Sequence, residues 1–203
     1  MQNSKKQLVL ICASARTKGN TEIIVDSIIH NISMPVYNVN KINIAQLNIK
    51  PCTGCGKCSN GSKCVIEDDL DQINKSLEKA DVIAIASPLY FCSIPAQLKA
   101  LVDRSQPQWV QKYVLCKSPI ANREAQIAKR KIQKGIFILC AASDNQKYFE
   151  CSKSIIKSFF NVRDIDYYKD MFIPEVDEKG DVLKHKELLV KAIEIVSEAI
   201  NSD

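Results

Sequence analysis

The sequence predicts an α/β fold, a parallel sheet of five strands with helices on both of its faces. The first observation behind this prediction is that short apolar runs alternate with helical patterns along the 203 residues. The second is that three of the runs, which begin at Leu8, Val82 and Ile136, are apolar without interruption. Strands buried on both faces have this pattern. A strand-then-helix order also requires crossovers between parallel strands, and such crossovers are right-handed.

Five strands and five helices account for most of the chain. The strands are predicted over residues 8–13, 36–44, 82–86, 136–142 and 162–171, and the helices over residues 21–31, 70–77, 95–102, 147–160 and 187–200. Polar residues interrupt the second strand, which favours a position near the edge of the sheet.

The helix assignments rest on apolar spacing and on residues that favour helix ends. In the first helix, Ile24, Val25 and Ile28 recur at the three- and four-residue spacing of one helical face. Acidic residues at positions 67–69 precede the second helix, where negative charge is favourable beside the helix N-terminus. In folds of this class, ligands bind beyond the carboxyl ends of the central strands. We therefore expect the functional residues in the loops that follow the first, third and fourth strands.

Length and composition limit the class of protein. We expect one domain over residues 1–203, with a cysteine-rich loop over 51–68 and a long irregular segment over 106–133. No segment approaches the roughly 18 consecutive apolar residues of a membrane-spanning helix, and no signal-peptide pattern is present. The nine cysteines, an odd number, do not suggest a disulfide framework. These features predict a cytoplasmic protein without a membrane partner.

The formal net charge of +5 is modest. The densest basic stretch contains Lys129, Arg130, Lys131 and Lys134. Because no nucleic-acid-binding motif accompanies it, this stretch is predicted to be a solvated face, and no nucleic-acid partner is expected.

A polar loop connects the first strand to the first helix. It reads Ala13-Ser14-Ala15-Arg16-Thr17-Lys18-Gly19-Asn20-Thr21. The hydroxyls of Ser14, Thr17 and Thr21 are suited to a phosphate, as are the backbone N–H groups at the helix start. The Arg16 guanidinium adds a charged donor, and Gly19 permits close approach of the backbone. Neither G-x-G-x-x-G nor a Walker A pattern is present, which disfavours a Rossmann dinucleotide site and an NTPase. A plain polar connection is the alternative.

The loop after the third strand is aromatic and stiff. It reads Ser87-Pro88-Leu89-Tyr90-Phe91-Cys92-Ser93-Ile94-Pro95. Its two prolines restrict the backbone, and Tyr90 and Phe91 offer flat surface to a planar ring. After the fourth strand, the small residues Ala142 and Ser143 leave room for the edge of such a ring. The alternative is that the two aromatic side chains only cover the following helix.

Four cysteines follow the pattern C-x2-C-x2-C-x5-C, at Cys52, Cys55, Cys58 and Cys64. Two-residue gaps let successive thiolates turn toward one centre, and the intervening glycines permit tight turns and exposed N–H donors to sulfur. Zinc sites more often use two C-x2-C pairs with a longer spacer between them. The spacing favours a [4Fe–4S] cluster and leaves zinc and free thiols open.

Three stretches in the first half of the chain resemble one family. The pattern S-x-R-x-x-G-N-T over residues 14–21 is similar to the phosphate loop of NAD(P)H-dependent FMN reductases and related flavodoxin-like proteins. Residues 87–104 resemble that family's isoalloxazine loop and following helix. Residues 51–69 are similar to the cysteine segment of iron–sulfur flavoproteins. The second half of the chain resembles the family only in its strand–helix alternation.

The resemblance implies a flavodoxin-like fold with strand order 2-1-3-4-5, and FMN as the cofactor. The residues that would hold the FMN phosphate are Ser14, Arg16, Gly19, Asn20 and Thr21. Those that would contact the isoalloxazine ring are Pro88, Leu89, Tyr90 and Phe91.

The function that the resemblance implies is an FMN-dependent oxidoreductase that relays electrons between FMN and a [4Fe–4S] cluster. Its electron donor would be NAD(P)H or a protein such as a ferredoxin, and a homodimer or homotetramer is expected by analogy. The alternatives are a cluster-free NAD(P)H-dependent FMN or quinone reductase, a non-enzymatic electron carrier, and a redox or metal sensor. No side chain is assigned a catalytic role, because the cofactor performs the chemistry.

Overall fold

One parallel sheet organises the structure. The computed structural model describes residues 5–32, 37–115 and 132–202. The strands are β1 (Lys6–Cys12), β2 (Tyr37–Asn43), β3 (Val82–Pro88), β4 (Lys134–Cys140) and β5 (Asp166–Ile173). They pair in parallel throughout, in the order β2-β1-β3-β4-β5. This arrangement confirms the predicted fold class and strand order.

Helices cover both faces of the sheet. They are α1 (Asn20–Asn31), α2 (Leu70–Lys79), α3 (Ala96–Asp103), α4 (Gln106–Trp109), α5 (Gln146–Val162) and α6 (Lys186–Asn201). Short 3-10 turns lie at Ile44–Gln46 and Asp181–Lys184, and α4 runs into a π-helical turn at Val110–Val114. Within the described residues, no helix is long and apolar enough to cross a membrane.

Burial on both faces explains the uninterrupted apolar strands. Successive residues of a strand point to opposite faces of the sheet. In β1, Leu8 and Leu10 therefore belong to the core beneath α1 and α6. Val9 and Ile11 belong to the core beneath α2, α3 and α5. The edge strand β2 has only one buried residue, Ile42, in agreement with its polar interruptions.

The predicted strand over residues 162–171 is wrong at its start, because α5 continues to Val162. Asp164 adopts a left-handed conformation with φ 57°. The Ile165 N–H donates to the Phe160 carbonyl at 3.0 Å, as in a Schellman C-cap. Residues 163–165 therefore close α5, and β5 starts after them.

Part of the segment predicted to be irregular is helical. Residues 106–114 form α4 and the π-helical turn. Ser105 takes the N-cap position, and Pro107 lies in the first turn, where its missing N–H costs no hydrogen bond. An α-helix of four residues is too short to give an apolar repeat in the sequence.

Only Lys134 of the predicted basic stretch is among the described residues. Lys129, Arg130 and Lys131 lie outside the described residues, as does the remainder of residues 116–131. Lys134 lies in β4, and its ammonium donates to the Ser202 hydroxyl at 2.6 Å.

Backbone hydrogen bonds connect the carboxyl ends of the central strands. The Ala13 N–H donates to the Ala86 carbonyl at 2.9 Å, and the Leu89 N–H donates to the Cys140 carbonyl at 2.8 Å. The loops that follow β1, β3 and β4 therefore open from one edge of the sheet, where ligands bind in folds of this class.

Candidate functional site

The loop of residues 13–19, here called the phosphate loop, lies at the N-terminus of α1. Gly19 is the N-cap residue of α1 and provides no side-chain cap. A Cβ atom on Gly19 would lie 2.9 Å from the Arg16 carbonyl oxygen, so a larger residue does not fit without movement. The N–H groups at a helix start without a side-chain cap are suited to an anion such as a phosphate.

The three hydroxyls of this loop lie in different environments. Ser14 is buried, and its hydroxyl accepts from the Arg16 N–H at 3.1 Å. Thr17 is exposed. Thr21 is buried and hydrogen-bonds the Cys140 thiol, whose pKa burial raises to about 12. The hydroxyl of Thr21 therefore interacts with the core below the loop.

Arg16 and Asn20 are tied to the loop that follows β5. The Arg16 guanidinium donates to the Asp177 carbonyl at 2.5 Å. The Asn20 amide donates to the Glu178 carbonyl at 2.9 Å, and its Oδ1 accepts from the N–H groups of Gly180 and Val182 at 3.0 and 3.2 Å. The Asn20 side chain thus holds two loops together.

A carboxylate lies beside the helix start. Glu22 accepts from the Lys18 N–H at 2.6 Å and pairs with the Lys41 ammonium at 3.1 Å. The hydrogen bond from Lys18, followed by that from Lys41, lowers the Glu22 pKa. Lys18 has a left-handed φ of 54°, which turns the chain toward Gly19. The negative charge at this helix start is therefore already neutralised.

The loop after β3 ends in a two-residue turn, here called the ring turn. The backbones of Tyr90 and Ser93 exchange two hydrogen bonds, of 2.9 and 3.0 Å. The two residues between them, Phe91 and Cys92, have φ values of 44° and 62°. Residues other than glycine with φ > 0 have a strained backbone, and such strain is concentrated at functional sites. The Phe91 ring is fully exposed at the tip of this turn.

The other predicted ring contacts lie at the same edge of the sheet. Pro88 is the last residue of β3, and Leu89 packs partly against the core. Ala142 and Ser143 are exposed directly after β4. Tyr148 of α5 hydrogen-bonds the Cys92 thiol, which raises the Tyr148 pKa. The sequence did not indicate Tyr148, because its partner is distant along the chain.

Glycines turn the chain between the four cysteines of the loop over residues 51–68, here called the cysteine loop. Gly54, Gly56 and Gly61 have φ values of 64°, 69° and 78°, which confirms the predicted turns. At Gly61 a Cβ atom would also lie 2.5 Å from the Leu115 side chain. These conformations favour glycine, because other residues are strained there.

The four thiols are free and interact electrostatically. Burial raises the Cys58 pKa, and the charges of Cys64, Cys52 and Cys55 raise it further. By contrast, the Lys57 N–H and other donors lower the Cys55 pKa. No group of three or more metal-ligating side chains among the described residues is arranged to hold a single ion. Four cysteine thiols are a donor set that suits an iron–sulfur cluster or a zinc ion.

A buried ion pair holds both ends of the cysteine loop. Arg104, the C-cap residue of α3, donates to Asp68 at 2.7 Å, and the two side chains are 1% and 0% exposed. Its other hydrogen bonds reach the Lys50 carbonyl at 2.8 Å and the Ile66 carbonyl at 3.0 Å. Asp68 in turn accepts from the Lys50 N–H at 3.0 Å. Burial opposes ionisation of Asp68, but these hydrogen bonds prevail and lower its pKa.

The sequence alone did not indicate that Arg104 forms a buried ion pair. An arginine that follows the apolar stretch of α3 ordinarily suggests a solvated helix end. The structure shows instead that it is buried, as is Asp68. The two residues lie 36 positions apart in the sequence, so their contact is visible only in the structure.

Two curated relatives are iron–sulfur flavoproteins. One from Methanocaldococcus jannaschii is 39% identical over 101 residues, which are 50% of this chain and 52% of the relative. One from Archaeoglobus fulgidus is 34% identical over 97 residues, which are 48% of this chain and 44% of the relative. The chain spans about half the length of the curated relatives it matches.

Solved structures share the fold at low sequence identity. A flavone reductase has a TM-score of 0.70 at 16% identity, over 96% of this chain and 63% of that chain. An FMN-dependent NADH-azoreductase from Bacillus anthracis, solved in complex with FMN, has a TM-score of 0.62 at 17% identity, over 97% and 100%. At these identities the likeness shows the fold alone.

The family model extends across all three loops of the candidate site. It matches residues 7–144, which include the phosphate loop, the cysteine loop and the ring turn. The agreement of this match with the sheet order, the uncapped start of α1 and the strained ring turn leads to one conclusion: the chain belongs to the NADPH-dependent FMN reductase family.

Proposed function

We propose that this protein is an FMN-binding oxidoreductase in which the cysteine loop holds a [4Fe–4S] cluster. The observation that carries the proposal is that two loops attach to opposite ends of one helix. The ring turn precedes α3, and Arg104 at the end of α3 binds both ends of the cysteine loop. Helix α3 has eight residues and is therefore about 12 Å long. A flavin site and a cluster site on one short helix are suited to electron transfer.

The residues around the phosphate loop fit an FMN phosphate. The first-turn N–H groups of α1 would bind it, with Ser14, Arg16 and Thr17 as side-chain donors. Gly19 keeps the turn narrow, and Asn20 positions the loop through its tether to residues 178–182. Thr21 would contribute its N–H group, because its hydroxyl bonds Cys140.

The ring turn would hold the isoalloxazine. The residues proposed to contact it are Pro88, Leu89, Tyr90, Phe91, Ala142 and Ser143. When bound, FMN supplies two-electron redox chemistry, and the protein contributes position and electrostatics. With a planar ligand bound, the exposed Phe91 ring would cover one face of the ligand and exclude water from it.

Cys52, Cys55, Cys58 and Cys64 are the proposed ligands of the cluster. All four are free thiols, and the glycine turns between them expose backbone N–H groups, which tune a thiolate cluster. A [4Fe–4S] cluster, when bound, supplies one-electron capacity beside the flavin. The names of both curated relatives support this assignment.

The proposed electron donor is NAD(P)H, which the family name supports; a reduced ferredoxin is the alternative. We further propose one domain over residues 1–203, a cytoplasmic location and assembly into a homodimer or homotetramer. Exposed aromatic side chains at Phe91, Trp109 and Tyr113 are suited to contact a second copy.

A cluster-free NAD(P)H-dependent FMN or quinone reductase is the second candidate. The exposure of Cys52 and Cys55 favours it, because thiols that solvent can reach are stable without a metal ligand role. In this case the flavin alone would pass electrons to every acceptor. A non-enzymatic carrier would differ from both by accepting electrons only from a protein partner.

The test compares one-electron and two-electron acceptors. We would replace Cys52, Cys55, Cys58 and Cys64 by serine and reduce the protein anaerobically with NADH or NADPH. A quinone and a one-electron acceptor such as ferricyanide would then be offered. Our proposal predicts that the variant keeps FMN and quinone reduction and loses most of its one-electron rate. Cys151→Ser, an exposed cysteine outside the loop, is the control and should change neither rate.

Equal one-electron rates in the variant and the wild type would favour the cluster-free reductase. Reduction by a reduced ferredoxin but not by NADH or NADPH would favour the electron carrier. Absence of bound flavin from the wild type would exclude all three.

A further inference from the structure

The ion pair between Arg104 and Asp68 attaches the cysteine loop to α3, and its burial calls for a further explanation. A buried salt bridge is weak support for stability, because desolvation offsets the attraction of its charges. Apolar residues of similar volume would serve stability equally well at this position. The pair does something an apolar pair could not, since its hydrogen bonds reach Lys50 on one side of the cysteines and Ile66 on the other. It therefore sets the separation of the loop's two ends.

Arg104 also has a donor in reserve. Its Nε has no hydrogen-bond acceptor among the described residues, although the side chain is almost fully buried. A buried donor without an acceptor is unfavourable. The Cys64 thiol lies beside the same guanidinium, and both residues line a cavity of about 470 Å³. The Cys64 sulfur, which interacts with this guanidinium, is an acceptor that the donor could use.

We propose that Arg104 is the positioning residue of the iron–sulfur site, an inference that rests on the proposed function. Its Nη1 and Nη2 groups fix the two ends of the cysteine loop before iron arrives. Its Nε–H would donate to the Cys64 sulfur when that thiolate is a cluster ligand. Hydrogen bonds to sulfur and positive charge stabilise the reduced state, and so the reduction potential of the cluster rises.

The geometry also explains why arginine stands at this position. The planar fork of arginine reaches several oxygen atoms at fixed angles, whereas lysine acts as a point charge. A lysine at position 104 could neutralise Asp68 but could not bind Lys50, Ile66 and a sulfur at once. Charge and position can thus be separated experimentally.

The variants are Arg104→Gln and Arg104→Lys, compared with two controls. Arg163→Gln removes another guanidinium of the same cavity, one that donates to Ser105 and Asn74 and not to the cysteine loop. Lys63→Gln removes a charge next to Cys64 from a side chain that is 85% exposed. The measurements on each full-length chain are iron, sulfide and FMN per chain after anaerobic reconstitution, and the cluster's midpoint potential.

We expect Arg104→Gln to bind no more than half the iron of the wild type, with FMN unchanged. The cluster that remains should favour reduction about tenfold less, which is about 59 mV for one electron. Arg104→Lys should fold and also lose iron, with a smaller shift in potential. Both controls should keep the wild-type iron content and potential.

Three results would overturn the proposal. Wild-type iron content and potential in Arg104→Gln would refute the role of Arg104 alone. Parallel loss of iron and FMN in both Arg104 variants would show a general structural role. A wild-type chain that binds FMN and no iron would refute the cluster itself, and the role of Arg104 with it.

Discussion

The side chain of Asn20 joins two loops at the ligand-binding edge of the sheet. It accepts from the N–H groups of Gly180 and Val182 and donates to the Glu178 carbonyl. Both ends of the amide are therefore engaged with backbone atoms. A phosphate at this loop would meet the N–H group of Asn20 rather than its side chain, and the side chain would act by fixing the loop.

Replacement of Asn20 by alanine should destabilise the apoprotein by about 3 kcal/mol, because the side chain makes three hydrogen bonds that contribute about 1 kcal/mol net each. Urea unfolding measures this difference. Asn31→Ala, in the same helix, removes an exposed amide that bonds the Ser27 carbonyl and should cost at most about 0.5 kcal/mol. Equal unfolding midpoints for the two variants would contradict the tether.

Glu22 gives the protein a pH dependence of known sign. Its pKa lies below the ordinary 4.5, chiefly because the Lys18 N–H and the Lys41 ammonium favour the carboxylate. A carboxylate with a lowered pKa stabilises the fold above pH 4.5, and this stabilisation is lost as the pH falls through the lowered value.

We therefore expect Glu22→Gln to be less stable than the wild type at pH 7, with the difference shrinking as the pH falls from 4.5 through the lowered pKa of Glu22. Unfolding free energies measured in urea from pH 7 to pH 3 test this. Glu194→Gln changes the charge equally at an exposed position and should show little difference at any pH. A Glu22→Gln difference that stays constant with pH would rule out the assigned interaction.

At the scale of an element, the ring turn is strained and presents an exposed aromatic side chain. Turns with positive φ at both central positions favour Asn-Gly. This chain has Phe91 and Cys92 there, with φ values of 44° and 62°. The strain in such residues persists only where the surroundings hold them or where function requires them.

The double variant Phe91→Asn, Cys92→Gly should stabilise the apoprotein by about 1 kcal/mol, because both residues suit the turn. FMN should bind about fivefold more weakly, since loss of an aromatic contact costs about 1 kcal/mol. Urea unfolding and flavin fluorescence titration provide the two numbers. Val190→Asn, an exposed apolar residue of α6, should leave FMN affinity unchanged. A less stable variant with full FMN affinity would show that the turn is not a ring-binding element.

At the scale of the whole molecule, the features that depend on local pattern could be predicted from the sequence. The apolar runs at Leu8, Val82 and Ile136 identified the central strands, because burial on both faces leaves no polar position. The start of β5 could not be predicted, since Val162 and Ile165 suit the end of a helix as well as a strand. The strand order came from the resemblance to a family and not from the pattern.

The candidate site was predictable where one loop contains it. The glycine turns between the cysteines and the close approach at Gly19 follow from residues that are near one another in sequence. The Arg104–Asp68 pair and the Tyr148–Cys92 contact join distant segments, and a single sequence carries no signal for such contacts. The tether of Asn20 was missed for the same reason.

The most direct test of the central claim is the cofactor content of the protein purified without oxygen. Iron, acid-labile sulfide and FMN would be measured per chain, together with the visible spectrum, for the wild type and the serine variant of the four loop cysteines. We predict about four irons, about four sulfides and one FMN in the wild type, and FMN without iron in the variant. Wild-type protein that holds FMN without iron or sulfide would contradict the account.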